Sequence, residues 1–286
     1  MHDFCFTESH YVFFQNPVDL DIVPFATGQR CPGQCLTFRP DRPTLAFLVP
    51  RGGAEAATRP IRTATLPACF VFHHANAFDD AATGDIVVDS VHMPGLELGI
   101  SPESDFRDAD FESSPRYSLF RTRIPMGSGG DADSVIAAST AELSPRVVEF
   151  PCVNGARFGR RARWAYAGCG LHPTRVQPLQ GWAKFDTESA DTEPAALWAP
   201  GAGFFLGEPQ FVARPGAAAD GAGAAEDDGW LIGWVFDSGR GVSALAVVCA
   251  RSMRTLALAR LAHHVPYGLH GCFVPQLFGD ALAAAA

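Results

Sequence analysis

The sequence predicts an all-β fold, on three observations. Short runs rich in β-branched and aromatic residues recur along the whole chain, Gly, Pro, Asp and Asn punctuate them, and stretches with a 3.6-residue apolar period are almost absent. Many short strands with turn signals between them fit a sandwich, a barrel or a propeller. In chain order the expected strands begin with His10–Phe14, closed by Asn16-Pro17, and Thr44–Val49, set between Pro43 and Pro50. Ala68–His74 follows Pro67, and Asp85–Val91 follows Gly84. Ser118–Ile124, Arg146–Phe150, Arg163–Ala167 and Gly181–Asp186 come next, each ended by a proline, a glycine or a polar cluster. Gln210–Ala213, Trp230–Phe236, Ser243–Val248 and Gly271–Val274 complete the series. Met253 to His264 is the one stretch with some helical character, from Leu256, Leu258 and Leu261.

Three segments read as excursions from the scaffold. Residues 101–116 are acidic and polar, 125–134 are rich in Gly, Ser and Asp, and 216–229 begin as a Gly/Ala tract that builds no core. None has the character of a domain linker, so residues 1–286 are taken as a single unit. A chain of 286 residues with 47% hydrophobic content is ample for a sizeable core.

Composition removes several classes of function. The net charge of −9, without a basic stripe, opposes nucleic-acid binding. The most apolar run, Ser243 to Ala250, is far shorter than a membrane-spanning helix, and Met1-His2-Asp3-Phe4 lacks a secretory leader pattern and reads like the inside of a domain. The eight cysteines follow no disulfide framework; most lie in apolar runs and are expected to behave as small buried hydrophobes. Cys31-Pro32-Gly33-Gln34-Cys35 has no second pair to complete a zinc site.

Three of the nine histidines stand out. His2 heads a strand-like segment, His73 closes the apolar run Ala68 to Phe72, and His270 lies between Gly268 and Gly271. Widely separated histidines at strand ends suit a metal on the axis of a propeller or barrel, but imidazole accepts iron, copper, zinc and nickel alike.

Five segments, in order, resemble one family. They are Met1-His2-Asp3-Phe4-Cys5-Phe6-Thr7-Glu8 (HDF-x-x-T), Phe72 to Asp80 (FHxxNA and acidic residues), and Glu149-Phe150-Pro151 (EFP). Glu208 to Pro215 followed by Glu226-Asp227-Asp228-Gly229 (EPxFVxRP…EDDG) and Pro266-Tyr267-Gly268-Leu269-His270-Gly271 complete the set. The family is the carotenoid cleavage oxygenases, and the likeness is greatest to its apocarotenoid-cleaving members. It implies a seven-bladed β-propeller, present here as a partial propeller of roughly four or five blades at about 50–60 residues each. It further implies a non-haem Fe(2+) held by four histidines, with His2, His73 and His270 matching three and the first lying upstream. Glu149 and Glu208 match two of three glutamates that would hold the far ring nitrogens, and Phe72 matches an aromatic that lines the substrate tunnel. His74, His263, His264 and the pair Lys184/Asp186 are read as structural, and Asn76 as bonding local backbone.

The implied reaction is oxidative cleavage of a conjugated C=C bond of an apocarotenoid by O2 to aldehyde products, with no catalytic side chain beyond the metal site. The partners are then an apolar polyene and O2, with peripheral membrane contact for substrate access. The alternatives are a stilbene-cleaving dioxygenase and a truncated, non-catalytic polyene-binding remnant. The compartment stays open between a bacterial cytoplasm and an algal plastid.

Overall fold

The computed structural model describes residues 1–96, 114–127, 134–215, 225–266 and 268–275. Strands β1 (Cys5–Phe6) and β2 (His10–Gln15) open the chain; β3 (Val18–Leu20) then leads to a short helix, α1 (Ile22–Ala26), and to its own partner β4 (Leu36–Phe38). β5 (Thr44–Pro50) and β6 (Arg62–Leu66) return to the first sheet, giving the antiparallel order β1-β2-β5-β6. β7 (His74–Asp79), β8 (Ile86–His92) and β9 (Ser118–Ile124) form the next meander. β10 (Ile136–Ala137) crosses back to pair in parallel with β6, and β11 (Ser139–Val153) runs on for fifteen residues.

The long strand β11 belongs to two sheets. Its first part, through Val147, pairs with β9, and from Val148 onward it pairs with β12 (Trp164–Cys169). β13 (Gly181–Asp186) and β14 (Ala196–Trp198) then complete a third four-stranded unit. β15 (Phe204–Leu206) and β16 (Gln210–Ala213) both pair with β17 (Gly229–Asp237), which is followed by β18 (Val242–Cys249) and β19 (Arg254–Arg260). Among the described residues the chain therefore builds four antiparallel blades in succession, the first carrying β10 as a fifth, parallel strand and the fourth carrying both β15 and β16 on β17. Their first strands are β1, β7, the second part of β11, and β16, and these lie against one another in that order.

The core consists of layers between blades. Cys5, Val12, Leu48, Ala77, Ile86 and Val88 fill the layer between the first and second. Ala75, Val91, Val148, Ala167 and Phe185 fill the next, and Tyr166, Trp182, Leu231, Val235 and Val248 the last. The inner blades are covered on both faces, so β8 is buried along its whole length and β13 in all but its last residue, polar side chains included. Strand alternation still sorts their side chains: in β13, Ala183 and Phe185 face the second blade while Trp182 faces the fourth.

Several expectations are corrected. Ala68–His73 is apolar and largely covered but is not a strand: it crosses from the first blade to the second, and the expected strand meets one only at His74, where β7 begins. Its backbone is satisfied piecemeal, with Thr44 Oγ1 bonding the Cys69 amide and carbonyl, the Asn16 amide bonding Val71 at both groups, and Phe70 exchanging backbone bonds with Met93. Met253 to His264 is not helical, because pairing with β18 overrides the leucine spacing and makes Arg254–Arg260 an edge strand. Gly271–Val274 is exposed coil. Asn76 bonds distant backbone, donating to the Arg160 carbonyl and accepting from the Gly159 amide. Of the excursions, residues 101–113, 128–133 and 216–224 lie outside the described residues, whereas Glu226 and Asp227 are fixed parts of the scaffold.

Candidate metal centre

Each first strand brings a polar residue to the same end of the blade stack. His2 lies just before β1, His73 just before β7, Glu149 at the point where β11 changes partner, and Glu208 just before β16. His270 arrives from the coil after β19.

The three predicted histidines converge. His270 Nε2 lies 3.3 Å from both His2 Nε2 and His73 Nε2, and the three ligand atoms all fall within 4.8 Å of one another. Nitrogens bound at about 2.0–2.1 Å to one first-row cation sit about 3 Å apart, so this spacing and donor set fit a transition metal. His73 Nδ1 lies 2.6 Å from Glu149 Oε2, and His270 Nδ1 lies 3.1 Å from Glu208 Oε2. A carboxylate on Nδ1 keeps the proton there and leaves the Nε2 lone pair facing the common centre.

The backbone locks both carboxylates in place. Glu149 Oε2 also accepts from the Phe150 amide at 2.6 Å, and Glu208 Oε1 accepts from the Gly271 amide. Phe150 has a φ of 53°, the left-handed region that costs a non-glycine residue roughly 1–2 kcal/mol. That turn sets the Phe150 ring 5.0 Å from His73 and 5.6 Å from His270, centroid to centroid. Phe72 meets His2 edge-on at 5.5 Å and packs on Phe70.

Protonation follows from these surroundings. Burial, then the neighbouring His73 and His270, hold the His2 pKa below its ordinary value, so His2 is a neutral donor. His73 is pulled down by burial, but the hydrogen bond and charge of Glu149 outweigh it and raise the net value. His74 is different in every respect: its ring is turned into the first blade against Phe14, and burial lowers its pKa to about 4.

A cavity of about 340 Å³ lies over the centre, lined by His2, Asp3, His73, Phe150, Glu208 and His270 among others. Beside it, an apolar groove of about 300 Å³ is walled by Phe205, Ile232, Trp234, Phe236 and Leu245 and reaches His270. Two residues of the site were not singled out from sequence, Asp3 and Phe150. Both sit within quoted motifs, next to a histidine and a glutamate, but neither is of a type that announces its role. Lys184 and Asp186, by contrast, are structural as expected. Lys184 Nζ donates to Asp227 at 2.7 Å and to the Arg251 carbonyl, while Asp186 pairs with Arg163.

Comparison with known proteins agrees with this architecture. A family model described as retinal pigment epithelial membrane protein matches residues 1–275. The chain is 38% identical over 276 residues to apocarotenoid-15,15'-oxygenase of Synechocystis, covering 95% of this chain and 51% of that one. It is 28% identical to carotenoid 9,10(9',10')-cleavage dioxygenase 1 of Arabidopsis thaliana, covering 96% and 48%. The structure of cobalt-substituted Synechocystis ACO superposes with a TM-score of 0.82 at 35% identity, over 96% of this chain and 52% of that one. The fold is thus that of a β-propeller, present in part, and the chain spans about half the length of the curated relatives it matches.

Proposed function

The chain belongs to the retinal pigment epithelial membrane protein family, the carotenoid cleavage oxygenases, and we propose that it is the iron-holding part of an enzyme that cleaves a conjugated C=C bond of an apocarotenoid with O2 to aldehyde products. The observation that carries this reading is the convergence of His2, His73 and His270, two of them oriented through Nδ1 by Glu149 and Glu208. In it, residues 1–286 act as one unit and the three Nε2 atoms hold Fe(2+). Such an ion, when bound by neutral imidazoles, keeps its full charge and supplies activation of O2 beside the substrate.

The protein's own contribution is binding and exclusion. Glu149 and Glu208 hold a proton on each Nδ1, so the ligands face the centre without rotating. Phe150 and Phe72 pack against the imidazoles and restrict how the rings turn. The apolar groove that ends at His270 provides a wall along which a polyene lies, and Phe72, edge-on to His2, adds an aromatic surface for it at the centre. No side chain transfers a proton in this scheme.

Iron stoichiometry, followed by an 8′-apocarotenal cleavage assay with product aldehydes identified by chromatography, tests the reading. One iron per chain and a cleaved aldehyde are expected; no metal and no product would sink it. A second reading has its own support, since Phe4, Tyr11, Trp234 and Leu256 leave apolar surface exposed on the two end blades. A chain that binds iron and polyene but yields no aldehyde would be the non-catalytic polyene binder.

A further inference from the structure

Asp3 links two of the converging strand heads through a single carboxylate. Its Oδ1 accepts from the Phe4 amide at 2.8 Å, and its Oδ2 accepts from the His74 amide at 2.9 Å. Asp3 directly follows His2, and the His74 amide directly follows His73. One rigid side chain therefore spans from the backbone carrying one candidate ligand to the backbone carrying another, across the boundary between the first and second blades. The two strands that continue from these heads, β1 and β7, lie against each other.

The two histidines depend on this link to different degrees. The His73 ring is held through Nδ1 by Glu149, and its carbonyl accepts from the Val91 amide. His2 sits in an exposed stretch ahead of β1, placed by its backbone and by ring contacts to Phe72, His73 and His270. A shift of the residue 2–4 backbone would carry the His2 Nε2 away from the other two. β7 is irregular at the same point: its register against β8 slips between His74 and Asn76, so the ladder alone does not set the path of residues 73–75. A charged acceptor on two amides is stronger than a neutral one, and both bonds here have normal lengths.

We propose that Asp3 is a positioning residue that clamps the heads of the first two blades together and thereby sets the distance from the His2 nitrogen to those of His73 and His270. The proposal rests on the metal-centre reading above. It goes beyond that reading by assigning to a residue that touches no ligand atom the geometry of the centre. A carboxylate that merely closed the free amides of two strand ends would affect folding stability and leave the coordination geometry alone.

The test uses Co(II) added to the full chain, with its visible d–d bands reporting the ligand geometry, on the wild type and on Asp3→Asn, whose amide presents a donor where one acceptor was. Asp3→Asn is expected to keep its melting temperature within a few degrees, to bind Co(II) about tenfold more weakly, and to shift the bands. Wild-type affinity with unchanged bands in Asp3→Asn overturns the clamp. Hydrogen exchange at the Phe4 and His74 amides separates this from failure of the metal reading. If the wild type binds no Co(II), the metal reading fails, and the clamp is then decided by exchange alone. Protected amides, with one of them at least tenfold faster in Asp3→Asn, support it, and unprotected amides in the wild type overturn it. Should Asp3→Asn not fold, Asp3→Ser takes its place, and wild-type exchange at the two amides decides for or against the clamp in the same way.

Discussion

Glu149 of the third blade holds His73 of the second, and Asp227 of the fourth holds Lys184 of the third; the two pairs have nearly the same burial and opposite outcomes. Side-chain exposure is 14% and 11% in the first, 4% and 12% in the second. In the second pair everything is used within the protein. Lys184 Nζ also donates to the Arg251 carbonyl and lies 4.0 Å over the Trp164 ring, and Asp227 also takes Arg251. In the first pair one end is left over, because the Nε2 of His73 faces another imidazole nitrogen at 3.3 Å. Facing lone pairs are unfavourable until a cation or a proton lies between them. The closed pair is a joint, and the open one is suited to a ligand.

The largest effect expected from this contrast is at the open end. His73→Ala is expected to abolish iron retention, measured as metal per folded chain. His74→Ala is expected to retain iron and to lose about 2 kcal/mol of stability, because its ring fills core space against Phe14. Equal metal loss in both would mean that the wrong histidine had been assigned. At the closed pair the reverse is expected. Lys184→Met leaves Asp227 with only the exposed Arg251, so unfolding by denaturant should show a loss of about 3 kcal/mol while iron per folded chain stays constant.

Between these lies Glu149→Gln. The amide keeps the size of the carboxylate but removes its charge, so the Nδ1 proton of His73 is held less firmly and Nε2 is a weaker donor. A rise of about tenfold in the iron dissociation constant is expected, equivalent to about 1.4 kcal/mol, with stability little changed. An affinity equal to that of the wild type would place the orientation of His73 elsewhere, with Phe150 the first candidate.

How much of this was legible in the sequence depends on what kind of physics writes each feature. Strands such as Ser118–Ile124, Gly181–Asp186 and Gln210–Ala213 emerge with the expected bounds because local composition and turn residues agree with the tertiary pairing. Ala68 to His73 misleads because apolarity reports burial, and burial here belongs to a crossing segment whose amides are met by Asn16 and Thr44. No periodicity encodes two partners 55 and 25 residues away. Histidines and glutamates at the centre were visible because their motifs resemble those of one family; the structure sets four of them at the heads of blades and His270 in the coil after β19. Asp3 was not, since an aspartate beside a strand start looks the same whether it meets water or a neighbouring blade. The role of Glu226-Asp227 was hidden similarly, behind a Gly/Ala tract that made the whole segment look loose.

Acid sharpens the contrast between closed contacts of different kinds. His92 lies in the second blade, stacked on Phe120 with its Nε2 3.0 Å from Ser90 Oγ, and burial followed by the nearby His74 lowers its pKa to about 3. Its unfolded value is near 6.5. Below that pH the unfolded chain takes up a proton that the folded chain refuses, so stability falls as pH drops from 6.5 toward 3. The sign is the same for Asp227, but the window is lower. Burial raises its carboxyl, the Lys184 and Arg251 contacts more than offset this, and the net depression means its contribution is lost only below the ordinary carboxylate value of 3.8. Acid should therefore act through the buried imidazole before it reaches the joint. At pH 5.5 the loss through His92 is about 1 kcal/mol relative to pH 7, and His92→Leu should remove its share of the slope between pH 6.5 and 4 while the share of His74 remains, whereas Lys184→Met should keep both. Denaturant unfolding at a series of pH values measures both. A slope in His92→Leu as steep as that of the wild type would show that His92 contributes nothing and that other groups, His74 first, govern the acid response.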